Sequence, residues 1–250
     1  MVQIGGRSRK APPDQRLSSL SGRRRRAAVG PRTPAKLDRG YSQVSETIPR
    51  KGSDTRERLL DLAEAAVLEK GFAATSIDEL IAAVGITKGG FFYHFRDKGD
   101  LAKALMLRYL ERDRVILDDI FARADDLNDD PLHGFLVALK LFAEMLANLP
   151  GAHPGCLAAS FCYQDQLFNR EIRDLNRSGV LAWRARFRQR LDRIAAKYPP
   201  RVEVDLDDLA DMVASLVEGG IILSRITKDK DVLPRQVLLY RDFIRLMFQP

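Results

Sequence analysis

The chain has 250 residues, 45% of them apolar and 30% charged, and carries a formal net charge of +7. That length holds one domain or two small ones with a buried core. No apolar run approaches the ~18 residues of a bilayer span and no apolar leader opens the chain, so neither a membrane protein nor an exported one is expected. Two cysteines, Cys156 and Cys162, are too few for a disulfide framework and point to a reduced, cytoplasmic protein.

The charge is unevenly placed. Residues 1–52 hold thirteen Lys or Arg against Asp14, Asp38 and Glu46, a local net of +10, so the remainder is slightly acidic. This segment includes Arg23-Arg24-Arg25-Arg26, is rich in Pro, Gly and Ser, and shows no sustained periodicity. Such composition predicts a disordered basic N-terminal extension over 1–52. It could serve as an arm along DNA phosphates or in a minor groove, or be a solvated leader.

From there the pattern is helical. Asp54 and Glu57 have capping-box spacing, and Leu59, Leu62, Ala63, Ala66 and Val67 follow at helical period up to Gly71. Ser76 and Glu79 form a second capping box, opening a helix carried by Ile77, Leu80, Ile81 and Val84. Gly85 then permits a left-handed turn, and Thr87 is placed to cap a helix of barely two turns. Phe91 and Phe95, at i and i+4, can anchor that helix to a small core, leaving Gly89, Gly90 and Tyr93 outward between Lys88 and His94. A short helix pinned by aromatics, with donors around a flat face, suits a DNA major groove.

Asp97 can cap a long helix over 98–124, followed by a polar break at 125–131 in which Pro131 suits a first helical turn. The next helix bears Phe135, Leu139, Phe142, Met145, Leu146 and Leu149; a short one is expected within 156–168. A long amphipathic helix over 171–198 sets Trp183, Phe187, Leu191 and Ile194 opposite a basic side that includes Arg184, Arg186, Arg188, Arg190 and Arg193. Asp205 can cap a helix bearing Leu209, Met212, Val213, Leu216, Val217 and Gly220. The last helix places Leu233, Val237, Tyr240, Ile244 and Met247 in one row, with Leu239, Phe243 and Leu246 in a second. The paired rows are wider than a single intramolecular seam needs.

Taken together, Thr55-Arg56, Leu59-Leu60, Lys70-Gly71-Phe72, Thr75-Ser76, Asp78-Glu79-Leu80, Gly85-Ile86-Thr87-Lys88-Gly89, Tyr93-His94-Phe95 and Lys98 followed by Leu101 resemble the TetR/AcrR family of bacterial transcriptional regulators. Two positions depart from it. Gly90 stands where the family has Ser, Thr or Ala and Phe92 where it has Tyr, which removes a side chain from base reading and a hydroxyl from phosphate binding.

The resemblance implies an all-α protein: a three-helix helix-turn-helix DNA-binding domain over 53–98, then a helical effector-binding and dimerisation domain over 99–250. It implies DNA contacts from Thr75, Ser76, Thr87, Lys88, Gly89, Gly90, Phe92, Tyr93, His94 and Lys98. Middle helices would enclose an effector pocket, with Phe121, Phe142, Met145, Cys156, Phe161, Cys162, Gln164 and Trp183 as candidates, beside Tyr163 and Phe168. The last two helices would pair across a two-fold axis through Leu216, Val217, Gly220, Tyr240, Ile244 and Met247.

Other chemistry finds little support. His153 and Cys156 have metal-like spacing but no second pair completes a tetrahedral set. No nucleophile elbow, phosphate loop or dinucleotide fingerprint is present, so no enzyme, metal or cofactor is expected. The expected function is a repressor that holds a palindromic double-stranded operator as a homodimer, without a membrane role, and is released by a small-molecule effector. A constitutive DNA-binding protein with no effector response is the alternative.

Overall fold

The computed structural model describes residues 51–249, and every regular element among them is helical. In order these are α1 (Lys51–Lys70), α2 (Ile77–Val84), α3 (Lys88–His94), α4 (Lys98–Leu127), α5 (Pro131–Ala147) and α6 (Leu157–Cys162). A 3₁₀ turn (Asp165–Leu167) leads into α7 (Arg170–Lys197), α8 (Leu206–Thr227) and α9 (Val232–Phe248). The expected basic extension lies outside the described residues, except that Lys51 and Gly52 already belong to α1.

Local chemistry starts and stops these helices. Ser76 Oγ accepts the Glu79 N–H at 3.1 Å, Thr87 Oγ1 accepts the Gly90 N–H at 3.2 Å, and Asp97 caps α4 through the Asp100 N–H at 2.7 Å. Asp130 and Asp205 cap α5 and α8, and Pro131 occupies the first turn of α5. Gly71 ends α1 at φ +85° and Gly85 ends α2 at φ +76°, where a Cβ would be strained. Two boundaries differ from the sequence expectation. Asp54 sits inside the first turn of α1 rather than ahead of it, because the helix begins at Lys51. The polar segment after 124 stays helical to Leu127, and Asn128 closes α4.

The buried apolar side chains form two cores. One joins α1–α3 and the start of α4 to Leu157, Phe161, Phe168 and Ile172. The other is shared by the far half of α4 with α5, α7, α8 and α9. The head's core therefore does not close at residue 98; it borrows from α6 and the start of α7.

The pairing surface assigned from the sequence needs correction. Tyr240 and Ile244 are 0% exposed and Met247 7%. They pack inside the chain because α9 lies on α5 and α8, fixed by Tyr240 Oη to the Leu209 carbonyl (2.8 Å) and Arg241 Nε to the Leu136 carbonyl (3.1 Å). Gly220 is buried too: a Cβ there would meet Leu233 Cδ1 at 2.8 Å. Leu216 and Val217 are half-buried against the same core. The apolar row left open on α9 is the second one, Leu239, Phe243 and Leu246, beside Ile222, Leu223 and Ile226 of α8.

The basic side of α7 is internally neutralised. Arg184 pairs with Asp211, Arg186 with Asp118, Arg188 with Asp207 and Arg190 with Asp125.

Candidate DNA-binding head and ligand cavity

The short α3 is held from within. Phe91 and Phe95 are fully buried with ring centroids 5.7 Å apart, and Phe92 lies edge-on to Phe91. The opposite side is open: Tyr93 is 82% exposed, Lys88 and Gly89 are exposed, and His94 stands edge-on to Tyr93 at 4.9 Å. Lys88 makes only a loose contact with Asp78 at 3.9 Å, both side chains solvated, which leaves its ammonium available. Ser76 and Thr87 are exposed but use their hydroxyl oxygens as helix caps. A backbone N–H at such a cap, with a hydroxyl and an ammonium beside it, can meet phosphate oxygens.

Two residues assigned to DNA serve the head itself. Thr75 is 1% exposed, and its hydroxyl donates to the Gly71 carbonyl at 3.0 Å. Lys98 turns inward: its ammonium donates to the Phe72 carbonyl at 2.6 Å and lies 4.4 Å from the Phe72 ring centroid. Partial burial lowers the Lys98 pKa from its ordinary value. Both side chains lock the α1–α2 turn, and the buried Thr75 hydroxyl is not open to a phosphate.

Behind the head, α4, α5, α6, α7 and α8 line a half-open cavity of about 830 Å³, within the range of small-molecule sites. Of the residues expected there, Phe142, Met145, Cys156, Phe161, Cys162 and Trp183 line it, and Phe168 joins them. Phe121 does not; it packs on Phe187 under the Arg190 guanidinium. Gln164 faces the head instead, where its Oε1 accepts the Ala73 N–H at 3.2 Å. Tyr163 is largely solvated.

The polar wall was not anticipated from the sequence. Tyr109, Asp113, Asn176 and Glu218 line the cavity. Tyr109 Oη lies 3.4 Å from Cys156 Sγ. Burial pushes the Asp113 carboxyl up to about 6, partly offset by Arg112 and by a bond from Tyr109. Burial also raises the Glu218 carboxyl, partly offset by the Cys156 thiol, and pushes that thiol up to about 11. Asn176 Nδ2 donates to the Ala158 carbonyl, while its Oδ1 is buried without a donor; Trp183 Nε1 is likewise buried without an acceptor.

Head and cavity touch through shared parts. Phe161 and Phe168 stack with centroids 4.2 Å apart, and both meet Phe72 at the end of α1, at 5.7 and 4.8 Å. On α4, Arg108 binds Asp61 (2.7 Å) and Glu64 (2.9 Å) of α1, and Arg112 binds Glu64 at 2.5 Å. The cavity residues Tyr109 and Asp113 are their immediate neighbours in the chain.

A helix-turn-helix head joined to a helical body is the architecture of a DNA-binding transcriptional regulator. The family model for bacterial regulatory proteins of the tetR family matches residues 59–105. The HTH-type transcriptional regulator YxaF of Bacillus subtilis is 25% identical over 183 residues, 72% of this chain and 90% of its own. The HTH-type transcriptional repressor BepR of Brucella suis is 33% identical over 98 residues, 37% of this chain and 45% of BepR. A crystal structure of a TetR transcriptional regulator from Chloroflexus aurantiacus superposes with a TM-score of 0.65 at 28% identity, covering 80% of this chain and 98% of that one. Residues 59–105 therefore match the DNA-binding domain of the TetR family of bacterial regulatory proteins, and the described helices share the fold of a TetR transcriptional regulator. Among the described residues no helix is long and apolar enough to cross a membrane, and no cluster of His, Cys, Asp and Glu could hold a metal ion.

Proposed function

We propose that the chain is a ligand-released repressor acting at DNA in the bacterial cytoplasm. Two copies pair through the exposed rows of α8 and α9 and set their α3 helices in successive major grooves of a palindromic operator, about 34–36 Å apart. Lys88 and Tyr93 would meet DNA, with His94, Gly89, Gly90, Ser76 and Thr87 at the rim. The name of BepR, a transcriptional repressor, favours repression over activation.

One observation carries the effector response: the aromatic side chains that wall the cavity are also part of the head's core. A ligand that displaces Phe161 or Phe168 must disturb Phe72, and with it the turn that Thr75 and Lys98 lock. α4 adds leverage. Its 30 residues span about 45 Å at 1.5 Å per residue. A few degrees of tilt at the cavity moves the head by an ångström or two at its end. A ligand that binds the tilted state more tightly depletes the spacing DNA requires.

Selection of bound sites from a random-sequence DNA pool tests the first half; inverted repeats with half-sites about one turn apart are expected. Recovered sites without a dyad would refute the paired arrangement. Molecules that quench Trp183, the chain's one tryptophan, test the second half. They should weaken operator binding; unchanged affinity would leave a constitutive DNA-binding protein.

A further inference from the structure

The charges on the cavity wall have one sign where they are deepest. Asp113 of α4 and Glu218 of α8 line the cavity together with Tyr109 and Cys156, whose Oη and Sγ lie 3.4 Å apart. Neither carboxylate has an ion-pair partner among the described residues. The cations nearby are engaged elsewhere: Arg112 with Glu64, Arg184 with Asp211, and Arg225 with the Leu68 and Pro154 carbonyls. Arg173 donates to the Phe168 carbonyl, and Arg177 sits at the solvated rim. Carboxylates held in partly apolar surroundings without a counter-charge disfavour their own ionisation, and any cation brought between them relieves that cost.

The rest of the wall suits a carbon framework. Trp183 stacks on Phe187 at 5.4 Å and meets Phe142 edge-on at 6.3 Å, with Met145 and Leu146 beside them. Aromatic faces attract cations as well as rings. The space of about 830 Å³ exceeds what an inorganic ion or a simple amine fills.

We propose that this cavity takes an organic cation: a protonated or quaternary amine on an apolar, ring-bearing body, its nitrogen between Asp113 and Glu218 and its body against Trp183 and Phe142. The assignment rests on the effector reading above and adds the chemical class of the effector. An anionic ligand would face two carboxylates that Arg112 offsets only in part, and a neutral one would leave them so.

Three probes of matched shape test it on the full chain: (4-phenylbutyl)trimethylammonium, its neutral tert-butyl counterpart, and the phenylbutyl sulfonate. Trp183 fluorescence reports occupancy directly, and operator binding is measured beside it. The ammonium should bind about tenfold or more tighter than the neutral probe, and the sulfonate more weakly than either. Asp113→Asn with Glu218→Gln should bring the ammonium-to-neutral ratio close to one without loss of the neutral probe. Circular dichroism checks that the variant is folded; Asp113→Asn alone, which should lose part of the ratio, replaces it if it is not. A neutral or anionic probe that binds as tightly as the cation would overturn the cationic class while leaving the effector site standing. Fluorescence unmoved by all three would overturn both, and a ratio unchanged in the variants would remove the two carboxylates from the site.

Discussion

Two rows on α9 compete for the role of dimer surface, and charge placed on each should give opposite results. Leu239 and Leu246 are each 60% exposed in the single chain, whereas Ile244 is 0% exposed. Burying a leucine fully is worth about 1.5–3 kcal/mol, so roughly 1–2 kcal/mol per side chain remains to be gained on association. Two such residues, each presented twice by a two-fold axis, sum to about 4–8 kcal/mol, or some 10³–10⁶-fold in the dimer dissociation constant. Leu239→Glu with Leu246→Glu should therefore give folded monomers, with wild-type helical content by circular dichroism and half the mass by sedimentation. Ile244→Glu should behave differently: its carboxylate enters the core of each chain without a partner, and the protein should unfold. An exposed-row variant that still sediments as a dimer, or an Ile244→Glu variant that stays folded, would refute the reasoning.

Further outcomes follow from the head and the turns. Tyr93→Ala and Lys88→Ala should each weaken operator binding by about 1–2 kcal/mol in gel-shift titrations while the melting temperature holds. Thr75→Val should do the reverse, lowering stability by about 1 kcal/mol through the lost bond to Gly71 with a smaller direct effect on DNA. Gly71→Ala should destabilise the head by about 1–2 kcal/mol, since φ is +85° and the new Cβ would meet Gln164 Nε2 at 2.8 Å. At Asp130 burial works to raise the carboxyl, but the His133 N–H, Lys197 and Tyr198 together hold it well below the usual carboxylate range. A folded-state pKa below the unfolded one stabilises above about pH 4 and loses that contribution as acid titrates the folded carboxyl. Denaturant titrations should show Asp130→Asn less stable than wild type at pH 7, with the gap closing below about pH 3. Asp113 has the opposite sign. Its folded pKa of about 6 lies above the unfolded value, so it lowers stability as pH rises from about 4 to about 6, a loss complete above 6, and Asp113→Asn should be the more stable protein at pH 8.

The helices were legible because their signals are local. Thr87, Asp97, Asp130 and Asp205 cap helices through bonds two or three residues away, and Gly71 and Gly85 stop them through their own φ angles. What resisted was tertiary. Thr75 and Lys98 face the α1–α2 turn, and no spacing rule separates that from facing DNA. The two rows of α9 have the same period and similar composition; only the packing of α9 on α5 decides which is inside. The cavity's polar wall did leave a trace. Leu101, Leu105, Tyr109, Asp113 and Leu117 follow one another at steps of four on α4, and the carboxylate interrupts an otherwise apolar row. A charge on an inward stripe is the mark that an aromatic count alone overlooks.

Because Phe161, Phe168, Leu157 and Ile172 complete the core of the first three helices, the head is not a detachable module. A fragment ending after the start of α4 would expose Phe72 and the apolar side of α1, and should be at best partly ordered. Transplanting this head onto another regulator would have to carry residues 157–172 with it, and the graft would bring part of the cavity wall along. On the proposed reading, operator choice and ligand choice would be constrained to diverge together: a substitution that reshapes the aromatic floor of the cavity also tests the fold of the head.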